Sequence, residues 1–133
     1  MWSYSLGSGG KADVAASVAI DSADNVLVTG SFQDSPGFPA RFGGVTVKST
    51  GGKDGYVGKY TSAGAPSWVR RFGGPDDDAG FGVSVDSAGS PHVVGVFTKF
   101  AEFDGHPLYG TALFGDAPYQ QPTLDSFVMK LAP

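Results

Sequence analysis

Three adjacent carboxylates, Asp76, Asp77 and Asp78 in the loop GGPDDDAG, make the densest charge cluster in the sequence. Calcium takes roughly six to eight oxygen ligands, and neighbouring carboxylates supply several of them. Calcium loops, however, space their ligands alternately, whereas three consecutive Asp point in different directions. These three are the candidate metal ligands, with a solvated loop as the plainer account. The two histidines, His92 and His106, lack the surrounding ligands that a transition-metal site needs. There is no cysteine, which excludes disulfides, thiolate metal sites and cysteine nucleophiles.

Catalysis finds no constellation to use. No G-x-S-x-G elbow is present. The run GSGG at residues 7–10 lacks both the G-K-[ST] ending and the following helix of a phosphate loop. None of the 13 Asp and Glu is singled out as half of a carboxylate pair for glycoside cleavage. No catalytic residue is therefore assigned, and a non-enzymatic role is expected. The loop aromatics are the better binding candidates: Phe38, Phe42, Phe100, Phe103, Tyr109, Phe114 and Tyr119 fall in two long connections. By analogy with sugar-binding surfaces, Phe103, Tyr109, Phe114 and Tyr119 are the candidate ligand contacts. The competing account is that these rings are buried between sheets, since each can bury about 150–250 Å².

Composition narrows the elements that can position such residues. The chain has 133 residues, of which 21 are Gly and 9 are Pro. Each interior Gly costs a helix about 1 kcal/mol and each Pro about 3 kcal/mol, so a helix bundle is excluded. A hydrophobic fraction of 41% excludes a disordered chain. A net charge of −4 argues against nucleic acid as a partner. No apolar run approaches the roughly 20 residues of a membrane-spanning helix. MWSYSLGSGG has neither the basic start nor the apolar stretch of a signal peptide.

The chain repeats itself. Trp2 matches Trp68 and Gly7 matches Gly73 at an offset of 66. Asp21 matches Asp86, Gly30 matches Gly95 and Phe32 matches Phe97 at 65. KDGYVGKY then matches LDSFVMKL at 71, pairing Asp54 with Asp125 and Lys59 with Lys130. The changing offset places insertions in loops. Residues 1–66 and 67–133 are the two repeats, together one incomplete domain.

Each repeat carries four strand signals: SYSLG or WVRRFG, AASVAID or FGVSVD, NVLVTGSF or PHVVGVF, and DGYVGKY or DSFVMKL. The second alternates with period two, and the third is almost continuously apolar, as in a strand covered on both faces. Asp21 and Asp86 are expected to cap the turns DSADN and DSAGS, with Asp24 or Gly89 at positive φ. Asp54 and Asp125 are expected to cap a turn in the same way. Lys59 and Lys130 read as strand-end charges that guard an edge. Gly30 and Gly95, inside apolar strands, point to a bulge or close packing. Four antiparallel strands per repeat of about 65 residues is the unit of a β-propeller blade. The expected fold is therefore all-β, with two four-stranded antiparallel blades and no helix.

The motif W-x-x-x-x-G, then VAIDSADNVLVTGSF, then GGKDGYVGKY resembles the SBBP family of β-propeller repeats from bacterial cell-surface and secreted proteins. Trp2, Gly7, Asp21, Asn25, Val28, Gly30, Phe32, Phe42, Gly43, Gly44, Asp54, Tyr56, Val57 and Lys59 carry the resemblance. The second repeat departs from it at Ser90, Pro91 and Ser126, and by the insert GTALFGDAPYQQPT. The resemblance implies a propeller and an extracellular or cell-surface setting, and it carries no catalytic residues.

Propellers have about four to eight blades, and two are encoded here. The expected partners are further blades in the same chain or copies of it in a ring, with an open two-blade piece as the third possibility. The expected role is a scaffold for display or interaction with a protein or glycan. The alternatives are a carbohydrate or small-ligand binder, and part of a propeller enzyme whose site lies in other blades. No cofactor is expected beyond possible calcium at Asp76–Asp78.

Overall fold

A computed structural model of the chain describes residues 1–110 and 124–133. Every regular element among them is a β-strand, as the glycine and proline content requires. β1 is Leu6–Gly7, β2 Val14–Ile20, β3 Val26–Phe32, β4 Ala40–Phe42, β5 Val45–Val47 and β6 Asp54–Tyr60. β7 is Pro66–Gly73, β8 Ala79–Val85, β9 Pro91–Thr98, β10 Phe100–Phe103, β11 His106–Tyr109 and β12 Leu124–Lys130.

All pairings are antiparallel, and the sheets run in the orders β1-β4-β5, β11-β10-β7-β6-β3-β2 and β12-β9-β8. Short turns dictate this order. Asp21–Asn25 folds β3 back on β2, and Thr61–Ala65 folds β7 back on β6. The strands do not group into the two expected four-stranded blades: β2, β3 and β6 take β7 of the second repeat as their fourth strand, in a sheet extended to six by the hairpin β10–β11, and β8, β9 and β12 form a sheet of three. β7 crosses the boundary between residues 66 and 67 and hydrogen-bonds to β6. The segment SYSLG contributes only the two-residue β1, which pairs with β4. The hairpins β4–β5 and β10–β11 lie inside what reads as loop.

Two in-strand glycines sit opposite bulges. Ala16 and Phe81 are the extra residues where register shifts between Ala15 and Ser17, and between Gly80 and Gly82. Gly30 and Gly95 lie opposite those bulges. A Cβ at Gly30 would overlap the Val14 carbonyl oxygen, and one at Gly95 the Ala79 carbonyl oxygen. Asp24 and Gly89 hold the positive φ of their turns, 60° and 83°.

Two hydrophobic cores form from matching residues. One joins Phe97, Ala101, Phe103 and Phe127 to Phe72 of β7. The other joins Phe32, Ala40, Phe42 and Tyr56 to Leu6 of β1. In each, one sheet's third and fourth strand signals meet a hairpin and the end of an outer strand. Pairing Phe103 with Phe72 and Phe42 with Leu6 fixes that contact in the same register. Rings interlock within both cores: Phe72 stacks on Phe103 at 5.4 Å, and Phe42 lies 4.6 Å from Tyr56.

The Tyr56 and Tyr60 hydroxyls are buried, and neither has a hydrogen-bond partner among the described residues. The matching residues in the second repeat are Phe127 and Leu131. Burial pushes both phenols up, Tyr60 to about 12. A buried hydroxyl without a partner costs about 1–3 kcal/mol. Tyr56→Phe is therefore expected to be neutral or to stabilise by up to about 1 kcal/mol. Its urea unfolding midpoint, compared with that of the native chain, checks this.

Candidate functional site

Most of the recurring polar residues hold backbone in place. Asp21 Oδ1 accepts from the amides of Ala23 and Asn25, each at 2.9 Å, and Asp86 Oδ1 accepts from those of Ala88 and Ser90. Both cap their turns as their spacing indicates. Lys59 Nζ lies 3.1 Å from Asp21 Oδ2, and Lys130 Nζ 2.8 Å from Asp86 Oδ2. The repeating lysine thus pairs with the repeating turn aspartate. Chiefly the Asn25 side chain, with backbone amides and Lys59 adding to it, holds Asp21 well below the usual carboxylate range. Lys130 leads in lowering Asp86 to about 2.

Asp54 caps the turn before β6: its Oδ2 accepts from the Thr50 amide at 2.7 Å. Arg71 Nη1 reaches the same carboxylate at 3.1 Å and Thr50 Oγ1 at 2.8 Å. Asp54 is fully buried, and desolvation outweighs these partners and raises its carboxyl.

The three consecutive aspartates separate as their adjacency implies. Asp76 pairs with Lys99 at 3.2 Å. Asp77 Oδ1 accepts from the Lys53 amide at 2.8 Å. Asp78 is buried and accepts from the amides of Gly74 at 2.7 Å and Thr98 at 3.0 Å. Among the described residues no group of three or more His, Asp or Glu is gathered around a point that could hold a metal ion. Asp78 has a counterpart that the acidic run conceals. Asp13 accepts from the amides of Ser8 at 2.6 Å and Gln33 at 3.1 Å, the same two bonds one repeat earlier. An offset of 65 from Asp13 to Asp78 was the available signal.

Burial, with Asp54 and Asp76 nearby, raises Asp78 to about 6 despite its two amide donors. A carboxyl raised on folding favours the folded state most strongly below its unfolded value near 3.8. That contribution falls as pH rises to about 6 and is constant above. Asp86 acts with the opposite sign: its contribution is full above about 4 and is lost as pH falls through about 2. Asp78→Asn is expected to flatten stability between pH 4 and pH 6 while lowering it overall. Urea midpoints across that range check this. A variant that keeps the native slope contradicts the assignment to Asp78.

The aromatic candidates divide. Phe103 is buried against Phe72, Phe97 and Phe127, which removes it from the ligand contacts and assigns it to the core. Phe42 is likewise core. Tyr109 stands 76% exposed, with its ring 5.3 Å from half-buried Phe100. Tyr109 and Phe103 sit at opposite ends of the β10–β11 hairpin. Phe114 and Tyr119 lie outside the described residues. His92 is half-buried in β9, and His106 is exposed at the start of β11. A shallow cleft of 430 Å³ gathers Ser5, Ser8, Gly9, Phe38, Pro39 and Arg41 at the glycine-rich loop.

The larger feature is a pair of open sheet faces. β8 packs across β2, β3 and β6. That interface buries Thr29 and Val57 fully. Their counterparts in the second repeat, Val94 and Val128, are 48% and 75% exposed. On the other side, Val83 packs into the core that contains Val57, while its counterpart Val18 is 61% exposed. Sequence patterning marks these positions as apolar but does not tell which copy has a neighbour. Compared with protein-family models and with curated proteins, the sequence matches none of them.

Proposed function

We propose that the chain is a pair of β-propeller-type repeats, of the kind its sequence resembles, serving as a non-enzymatic scaffold on a cell surface or in a secreted protein. One observation carries this reading: a core drawn from corresponding positions, with its hairpin paired in the same register, is built twice along the chain. Such units bury their faces only against neighbours, which suits a stacked architecture. The recurring aspartates and lysines described above are engaged in turns and ion pairs, which favours a structural over a catalytic role.

The test is to supply a fourth strand to β12. A copy of residues 61–73, grafted after Leu131, has the turn and strand that β7 gives to β6. The expected result is a higher melting temperature and slowed amide exchange along β12. An unchanged melting temperature with the graft unprotected would contradict the repeat reading.

Tyr109 supports a second reading, a glycan-binding surface, because a tyrosine exposed beside another ring is a stacking platform. That reading requires saturable oligosaccharide binding that Tyr109→Ala abolishes.

A further inference from the structure

Among the described residues, two strand edges and two sheet faces are open whose repeat-counterparts are paired inside the chain. β7 uses both of its edges, one for β6 and one for β10. Its counterpart β1 uses one edge, for β4, and lies at the margin of its sheet. β12, the counterpart of β6, lies at the margin of the sheet β12-β9-β8. The unmatched edge of β1 and that of β12 are therefore the two halves of the ladder that β6 and β7 form. The faces agree with the edges. Val94 and Val128 are exposed where Thr29 and Val57 are buried, and Val18 is exposed where Val83 packs.

We propose that a second copy of this chain docks head to tail on the first: its N-terminal strand extends β12, and its β2 covers Val94 and Val128. The proposal rests on the repeat reading above and adds a partner and a register. Within the chain, Gly55 pairs with Phe72, Val57 with Arg70 and Lys59 with Trp68. Carrying the offsets 71 and 66 across places Ser126 opposite Leu6, Val128 opposite Tyr4 and Lys130 opposite Trp2 of the second copy. Val128 then meets Val18 of that copy, as Val57 shares a core with Val83. The contact is heterologous, so copies add in one direction and either close a ring or extend a fibre. The second copy is favoured as occupant because both halves of the interface are on this one chain, with a worked example of their fit between its own repeats. An exposed edge beside an apolar face is also the feature that drives strand addition.

The chain has no cysteine, so introduced thiols report on this contact alone. Two single variants, Tyr4→Cys and Val128→Cys, are mixed and oxidised mildly. The expected product is a disulfide-linked dimer of one of each. Ser3→Cys mixed with Val128→Cys, one position out of register, is expected to cross-link about tenfold more slowly, because disulfide geometry tolerates little displacement. In parallel, light scattering is expected to give the native chain a mass of several copies and Val128→Asp that of one copy. Val128 is exposed in the single chain, so the variant is expected to keep its far-ultraviolet circular dichroism. A native chain that scatters as one copy, or cross-linking indifferent to register, would overturn the docking. If docking fails while the grafted strand still stabilises β12, the repeat reading stands and only the intermolecular contact falls.

Discussion

Gly30→Ala is expected to lower the unfolding free energy by about 3 kcal/mol, because overpacking against fixed backbone costs about 1–3 kcal/mol and occasionally more. The added methyl would occupy the space of the Val14 carbonyl oxygen, and Val14 and Ala15 are held by the ladder to β3. Relief requires the bulge at Ala16 to open, which breaks pairing in the β2–β3 hairpin. Gly95→Ala meets the Ala79 carbonyl in the same way and is expected to cost as much. Gly82→Ala is the control: its methyl meets only the Val94 Cγ2, at 3.0 Å, on an exposed side chain free to turn away. It is expected to cost less than about 1 kcal/mol. Chemical unfolding of the three variants checks the ordering. Equal effects at Gly30 and Gly82 would contradict the close approach at the bulge.

Phe72→Ala is expected to cost about 4 kcal/mol, within the range for emptying a buried aromatic site. Phe72 is 1% exposed, stacks on Phe103 at 5.4 Å and meets Phe127 edge-on at 5.1 Å. It belongs to β7, in the six-stranded sheet, while Phe127 belongs to β12, in the three-stranded one. Its loss therefore loosens the packing of one sheet on the other as well as leaving a cavity. Domains are stable by only about 5–15 kcal/mol, so this one change removes a large share. Leu6→Ala, at the counterpart position but half-buried, is expected to cost less. Urea midpoints for the two variants check this ordering. Equal losses would contradict the deeper burial of Phe72 in its core.

Much of this fold is legible in the residues. Seven of the eight strand signals fall on strands over most of their length, because Val, Ile and Phe at alternating or continuous positions leave the chain few other structures, whereas SYSLG forms a strand only at Leu6–Gly7. Asp21 and Asp86 are legible as turn caps because Ser, Asn and Gly follow them at turn spacing. Gly30 and Gly95 are legible as bulge positions because glycine otherwise weakens a strand. What escapes the sequence is short or non-local. β4 and β5 have three residues each, too few to show a period, although Phe42-Gly43-Gly44 against Phe103-Asp104-Gly105 marks the repeated hairpin turn. Phe103 is a core residue because its hairpin folds onto β7, a contact between segments about 30 residues apart that local patterning does not encode. The pairing of Lys59 with Asp21 is likewise set by strands brought together across a long connection. Asp78 is hidden by its neighbours: only its offset from Asp13 separates a buried structural carboxylate from two surface ones.

Val94 and Val128 at one end, and Val18 at the other, are exposed at the positions that Thr29, Val57 and Val83 fill in the interface inside the chain. Fusing three copies of the sequence end to end in a single polypeptide, and measuring its thermal unfolding, tests this most directly. The expected result is a molecule that unfolds in one cooperative transition at a higher temperature than the single chain, because each junction buries the faces that the single chain leaves exposed. Three copies that unfold at the single-chain temperature, as independent units on a string, would contradict it.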